Sequence, residues 1–123
     1  MILFKEPSPG RILRGEKTQA RKLWDRPRAK EGAEHLLYRR PPVTGEKPFA
    51  KVLITRVWKQ RLGEMTEAEA RAEGWPTKAA FLEQFTADRR FETPLDQIEV
   101  YALEFRLLEK YENVILSEAK NLP

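Results

Sequence analysis

The sequence predicts an α+β domain: a curled mixed sheet or small barrel of about five strands, with short helices beside it. Five segments are rich in β-branched, aromatic and leucine side chains, and glycine, proline or polar residues bound each of them. Two capped helical segments lie between the fourth and fifth of these strands. Strands and helices do not alternate as a parallel β-α-β sheet requires, which favours the curled mixed architecture.

The chain opens with a short strand and a short helix. The predicted strand covers 2–5, and the helix covers 9–14. Ser8 can cap that helix, Pro9 suits its first turn, and Gly15 suits its left-handed end.

The next predicted strands cover 18–24 and 33–40, and a basic loop over 26–32 separates them. A proline-rich turn over 41–48 leads into a strand over 49–58. Because that strand is apolar on both faces, we expect it at the centre of the sheet.

The helical part of the chain begins with a capping box, in which Thr66 precedes Glu69 by three residues. This helix is expected to end at Gly74, and Thr77 caps a second one. Its predicted buried face consists of Phe81, Leu82 and Phe85.

A strand over 98–108 closes the predicted domain, with apolar side chains on both of its faces. We therefore expect one domain over 1–108 and an extension over 109–123 that could add a short helix.

Charge is distributed unevenly along the 123 residues, whose formal net charge is +4. The first 61 residues hold 16 Lys and Arg against 6 Asp and Glu, whereas the remainder holds 7 against 13. A basic half is typical of proteins that bind polyanions such as RNA. The alternative is that the two halves neutralise each other in the fold.

Several function classes are disfavoured by composition. The chain has no cysteine, so disulfides and thiolate zinc sites are excluded and a cytoplasmic location is expected. His35 is the only histidine, so we expect no histidine-based metal site or catalytic triad, and no cofactor. The apolar N-terminal run is too short for a signal peptide, and no run is long enough to span a membrane.

Cations cluster where the first helix gives way to the second strand. They are Lys17, Arg21 and Lys22, with Arg11 and Arg14 about one turn earlier. A helix-to-strand junction leaves backbone groups unpaired and can aim side chains into a cleft. The segment is therefore a candidate site for an anionic or carbonyl-bearing ligand, with a solvated basic turn as the alternative.

Glu73 is the candidate acid, because it lies at the carboxyl end of the capped helix, next to Gly74. A carboxylate there opposes the helix dipole, and nearby cations would be needed to stabilise its charge. General acid–base chemistry is one use for such a group, and a solvent-exposed helix end is the alternative.

Trp24 is the tryptophan best placed to stack on a nucleobase, whereas Trp58 is expected in the core or a lid. In that arrangement Arg26, Arg28 and Lys30 of the basic loop would contact phosphates, as would Arg11 and Arg14. A solvated loop is again the alternative.

Four short motifs in order resemble the ASCH domain family. They are Gly15-Glu16-Lys17-Thr18 with Arg21, Ile54-Thr55-Arg56-Val57, the segment 66–74 with Ala70 and Glu73-Gly74, and the closing strand Val100-Tyr101-Ala102-Leu103-Glu104-Phe105. The resemblance covers roughly residues 1–108 and implies a PUA-like fold, a small β-barrel with flanking helices. It also implies binding of RNA or a nucleotide-like ligand in a cleft lined by Lys17, Thr18, Arg21 and Glu73.

Small bacterial ASCH proteins hydrolyse acetylcytidine with a lysine, a threonine and a glutamate, so the resemblance raises amidohydrolase activity as an alternative. Lys17 and Glu73 match two of those residues, but Ala20 stands where the threonine is expected. Alanine cannot act as a nucleophile. Thr18 could replace the hydroxyl only with a shift of the backbone, and a water activated by Glu73 is a further route. RNA cleavage, which some family members perform, has no separate signature here.

Overall fold

The computed structural model describes residues 1–112 and contains five strands, three helices and three short 3₁₀ turns in that range. In chain order the helices and strands are β1 (Ile2–Leu3), α1 (Ser8–Leu13), β2 (Gln19–Lys22), β3 (Glu34–Tyr38), β4 (Ala50–Arg61), α2 (Glu67–Ala72), α3 (Lys78–Thr86) and β5 (Glu99–Lys110). The 3₁₀ turns are Pro42–Thr44, Leu62–Glu64 and Leu95–Gln97.

All five strands join in one sheet with the order β1-β3-β4-β5-β2. β1 is parallel to β3, and the other three pairings are antiparallel, so the sheet is mixed. β4 occupies the middle position, which confirms the prediction from its apolar residues. The α+β class and the half-barrel of five strands with short helices are confirmed.

The sheet curls so that its two edge strands, β1 and β2, approach each other. The pairing of β4 with β5 is irregular at two points, one of them between Ile54 and Arg56, and such bulges bend and twist a strand. Across the gap between the edges, the ammonium of Lys22 in β2 donates a hydrogen bond to the carbonyl of Leu3 in β1, at 2.6 Å. The open seam of the half-barrel is therefore narrow enough for one side chain to bridge.

Two apolar clusters form the core, one on each face of the sheet. Leu103 and Phe105 of β5 belong to the first cluster. Val100, near the start of the same strand, packs in the second cluster with Phe81 and Phe85 of α3. The prediction that β5 carries apolar residues on both faces is confirmed, and it explains how one strand serves both clusters.

The caps of the second and third helices are as predicted. Thr66 accepts a hydrogen bond from the Glu69 amide at 3.1 Å, and the Glu69 carboxylate accepts one from the Thr66 amide at 2.9 Å. Thr77 accepts from the Ala80 amide at 3.1 Å. These bonds fix where α2 and α3 begin.

The predicted cap of the first helix was wrong. Ser8 is the first helical residue, and Pro7 holds the cap position without a side-chain hydrogen bond. The Ser8 amide instead donates to the carbonyl of Lys5 at 3.0 Å, which starts the helical turn one residue earlier than the pattern implied.

Strand boundaries differ from the predicted ones by a few residues. β2 covers only Gln19–Lys22 of the predicted 18–24, whereas β5 continues to Lys110. The Tyr111 amide still bonds to the carbonyl of Phe49 at 3.0 Å. The extra short helix was expected in the extension over 109–123. Its first two residues belong to β5, and residues 113–123 lie outside the described residues.

Candidate functional site

Lys17 is held against the carboxyl end of α2 by the local backbone. Gly15, at φ +78°, ends α1 and redirects the chain toward β2. The amide of Thr18 then donates to the carbonyl of Ala72, near the end of α2, at 2.8 Å. Because this bond ties the two segments together, the Lys17 side chain meets Glu73.

The Nζ atom of Lys17 lies 2.5 Å from Oε1 of Glu73 and 3.1 Å from the backbone carbonyl oxygen of the same residue. The side chains are 5% and 2% exposed, respectively. An ammonium group at a helix C-terminus interacts favourably with the free carbonyls there, which offsets the unfavourable position of the carboxylate. Glu73 is thus a buried, paired acid and not the exposed helix end that was the alternative.

Arg21 of β2 binds the second carboxylate oxygen of Glu73. Its Nη1 atom lies 3.0 Å from Oε2 of Glu73, and its Nη2 atom lies 2.9 Å from Oε2 of Glu69. Its Nε atom donates to Gln60 at 2.9 Å, and its side chain has 0% exposure. The guanidinium therefore joins β2, β4 and α2, and its charge is already compensated by two carboxylates.

Glu69 connects this network to the start of α2. Burial raises the pKa of its carboxyl, but hydrogen bonds from Thr66 and Gln60 and the charge of Arg21 outweigh that effect and hold the pKa below its ordinary value. Among the described residues, every buried side-chain nitrogen and oxygen has a hydrogen-bond partner. The network is fully satisfied without a ligand.

A cleft of about 260 Å³ opens beside this network, along the seam between β1 and β2 and against α3. Three residues of the network line it: Lys17, Arg21 and Glu73. Further cationic and aromatic residues also line the cleft: Lys22, Arg89, Phe4, Phe81 and Phe85.

Lys22 is the cation whose surroundings are most unusual. Its ammonium lies 4.2 Å from the centre of the Phe4 ring and makes the hydrogen bond to Leu3 described above. Burial is the main cause that lowers the pKa of Lys22 to about 8, and the charges of Lys17 and Arg89 lower it further, while Glu73 acts in the opposite direction.

Several residues predicted for the site lie elsewhere. Thr18 is exposed and does not line the cleft. Trp24 is half-buried, packs against the first core cluster with its ring centre 6.5 Å from that of Tyr101, and does not line the cleft. Arg11 stacks 4.4 Å over the Trp75 ring, and Arg14 pairs with Glu16 at 3.1 Å.

The basic loop is also outside the cleft lining. Arg26, Arg28 and Lys30 are exposed, and Arg28 pairs with Asp25 at 3.3 Å. The expectation that these three residues contact phosphates stays a prediction. They lie on a surface that is separate from the cleft.

Sequence reasoning placed Lys22 in the cation cluster but did not assign it to the site, and it missed Arg89. Arg89 comes shortly after α3, which ends at Thr86, and its guanidinium lies 4.7 Å from the centre of the Phe85 ring. The signal that could have found it is the Arg89-Arg90 pair at the end of a helix whose aromatic face was already predicted.

Within residues 1–112, no group of three or more His, Asp or Glu side chains is arranged to hold a metal ion. The helices of the same range are too short and too polar for any of them to cross a lipid bilayer.

Comparisons with known proteins identify the fold. No protein-family model matches the chain, and no curated protein matches it either. Among solved structures, an ASCH domain from Lactobacillus crispatus is 17% identical with a TM-score of 0.64, over 86% of this chain and 78% of that one. An ASCH protein from Zymomonas mobilis is 19% identical with a TM-score of 0.58, over 99% and 79% of the two chains. A DUF984-family protein from Enterococcus faecalis is 18% identical with a TM-score of 0.61, over 91% and 82%. The chain therefore has the fold of ASCH domains.

Proposed function

We propose that the chain binds RNA or a nucleotide-like ligand in the cleft between β1, β2 and α3. The observation that carries this proposal is the combination of cations and aromatic rings on the walls of one cleft, with Lys17 and Glu73 among its lining residues. Nucleotides present a flat base that packs against aromatic rings and a phosphate that pairs with cations.

The size of the cleft limits what it can enclose. Its volume of about 260 Å³ is slightly below the range of roughly 300–1,000 Å³ that is usual for small-molecule sites. A single nucleoside unit is therefore the largest part of an RNA that it would enclose. The rest of a longer strand would lie on the surface, where the basic loop at 26–32 offers further charge.

The test is a titration with a short fluorescently labelled single-stranded RNA at several salt concentrations, followed by anisotropy. If four phosphates are neutralised, the logarithm of the binding constant should fall with the logarithm of salt concentration at a slope near about −3. Arg89→Ala should weaken binding and flatten this slope. Lys59→Ala is the matched control, because Lys59 is exposed, pairs with Glu99 at 2.9 Å and lies outside the cleft lining. No binding at low salt would refute the proposal.

A second candidate is hydrolysis of an acetylated cytidine or a related amide. The contact between Lys17 and Glu73 favours it, because two of the three residues implied by the resemblance to ASCH enzymes are adjacent and line the cleft. Ala20 also lines the cleft and carries no hydroxyl, so the nucleophile would have to be a water molecule. Incubation with acetylcytidine, followed by chromatography of the products, distinguishes this candidate from binding alone.

We also propose a cytoplasmic location, because the chain has no cysteine and so cannot form the disulfides that are typical of proteins in oxidising compartments.

A further inference from the structure

We propose that Lys22 and Arg89 form a subsite for the phosphate group of a nucleotide, at the seam of the half-barrel. This assignment rests on the proposed function, because it names the part of the ligand that these two side chains would hold. Three observations carry it: how the two cations are held, what compensates the other charges of the cleft, and how the two cations affect each other.

Both cations are positioned by aromatic rings. The ammonium of Lys22 lies 4.2 Å from the centre of the Phe4 ring, and the guanidinium of Arg89 lies 4.7 Å from that of Phe85. A cation above a ring is attracted by the quadrupole of the ring but keeps its full charge. Both side chains are thus held in place without being neutralised.

The Phe85 ring itself is fixed. It stacks on Phe91 at a centroid distance of 6.1 Å and an interplanar angle of 6°, and it packs against Phe81 at 5.6 Å. The amide of Arg89 donates to the carbonyl of Thr86 at 3.2 Å, which continues the turn after α3. Arg89, although exposed, therefore leaves a defined backbone position next to the cleft.

The remaining charges of the cleft are mostly compensated. Glu73 forms ion pairs with Lys17 and Arg21, and Glu6 pairs with Arg39 at 3.2 Å. Within residues 1–112, the ion pairs include neither Lys22 nor Arg89. Counting only pairs among residues 1–112, Asp88 is the one lining carboxylate with no ion pair, whereas three lining cations have none: Lys5, Lys22 and Arg89. The cleft thus has an excess of positive charge.

Lys22 and Arg89 line the same cleft, so the charge of each acts on the other. The charge of Arg89 is one of the causes that lower the pKa of Lys22, together with burial and the charge of Lys17. Two like charges facing one cavity cost free energy, and an anion placed between them removes that cost. A phosphate monoester offers the charge and the acceptor oxygens to engage an ammonium and a guanidinium together.

The experiment compares the four common ribonucleoside 5′-monophosphates with the matching nucleosides by isothermal calorimetry at pH 7 and low salt. We expect at least one monophosphate to bind about tenfold or more tightly than its nucleoside, since charge-assisted hydrogen bonds of this kind contribute more than 1.4 kcal/mol. Inorganic phosphate should compete with the monophosphate and not with the nucleoside.

The variants are Arg89→Ala, Lys22→Met and the matched control Arg90→Ala. Arg90 neighbours Arg89, is also exposed and does not line the cleft. The preference for the monophosphate should disappear in Arg89→Ala and Lys22→Met and remain in Arg90→Ala. Arg89→Ala keeps the test valid if Lys22→Met unfolds, because an exposed side chain after a helix can be truncated safely.

The outcomes distinguish failure of the phosphate subsite from failure of nucleotide binding in the cleft. Equal binding of nucleoside and monophosphate, or a phosphate preference that survives Arg89→Ala, would overturn the subsite and leave the proposed function standing. Failure of nucleosides, monophosphates and RNA alike would overturn both.

Discussion

The ammonium of Lys17 and the carboxylate of Glu73, 56 residues apart in the sequence, lie 2.5 Å apart at the carboxyl end of α2. Arg21 binds the second oxygen of the same carboxylate at 3.0 Å. One buried acid therefore compensates two buried cations and links β2 to the end of α2. Because Glu73 has two cationic partners and Lys17 has one carboxylate, loss of the acid and loss of the lysine should have unequal effects on stability.

We expect Glu73→Gln to destabilise the protein more than Lys17→Met. The first change leaves Lys17 facing a neutral amide and removes one of the two carboxylates of Arg21, at a cost of about 3–5 kcal/mol. The second leaves Glu73 paired with Arg21, and we expect about 1–3 kcal/mol. Urea unfolding at pH 7 measures both. Lys59→Met, at an exposed ion pair, should cost much less than either buried variant, because solvent screens that pair. An equal loss in the two buried variants would contradict this assignment of roles.

Gly74→Ala should also destabilise the site, by about 2 kcal/mol. Gly74 has φ +91°, and an added Cβ atom would lie 2.9 Å from Cδ of Arg11 and 3.6 Å from Cβ of Lys17. Gly45→Ala is the matched control, because Gly45 has φ +83° with no heavy atom within 4 Å of an added Cβ. Thermal unfolding should show a larger decrease in midpoint for Gly74→Ala, and equal decreases would mean that the close approach of Arg11 costs nothing.

The stability of the protein should depend on pH through Lys22. Its pKa is lowered from 10.5 to about 8 in the folded state, so the unfolded chain binds the proton more tightly between those values. Unfolding then takes up a proton, and raising the pH through this window favours the folded state. Relative to Lys22→Met, the wild type should gain roughly 2–3 kcal/mol between pH 7 and pH 10.5.

Urea unfolding of both proteins across that range measures the difference, in which the titration of exposed groups such as Lys51 and Lys59 cancels. A constant difference would show that the Lys22 ammonium is well solvated. Seven other charged residues line the cleft with Lys22: Lys5, Glu6, Lys17, Arg21, Glu73, Asp88 and Arg89.

Ala20→Thr tests whether the hydroxyl is what separates this cleft from an amidohydrolase site. Ala20 is 2% exposed and lines the cleft together with Lys17 and Glu73. If the resemblance extends to chemistry, the variant should release acetate from acetylcytidine faster than the wild type, because it supplies a nucleophile beside a lysine. The activity should vanish when Lys17→Met is added. A folded Ala20→Thr variant with no gain in turnover would rule out this route to catalysis.

Local sequence patterns were sufficient for the elements whose signals are local. The capping box at Thr66 and Glu69 and the cap at Thr77 follow from side-chain oxygens that reach amides three residues away. The apolar pattern of β4 placed it at the centre of the sheet. Ser8 shows the limit, because a backbone bond to Lys5 began the helix one residue before the pattern implied.

The sequence by itself determined that Lys17 follows a helix end, that Glu73 closes a capped helix, and that the strands form a curled mixed sheet. Only the tertiary structure decided that Arg21 is enclosed by Glu69 and Glu73, that Trp24 packs against the first core cluster, and that Lys22 and Arg89 line the cleft. The physical reason is that periodicity and caps are set by neighbours in the chain. The compensation of a charge depends on which distant groups the curled sheet brings within a few ångströms of it.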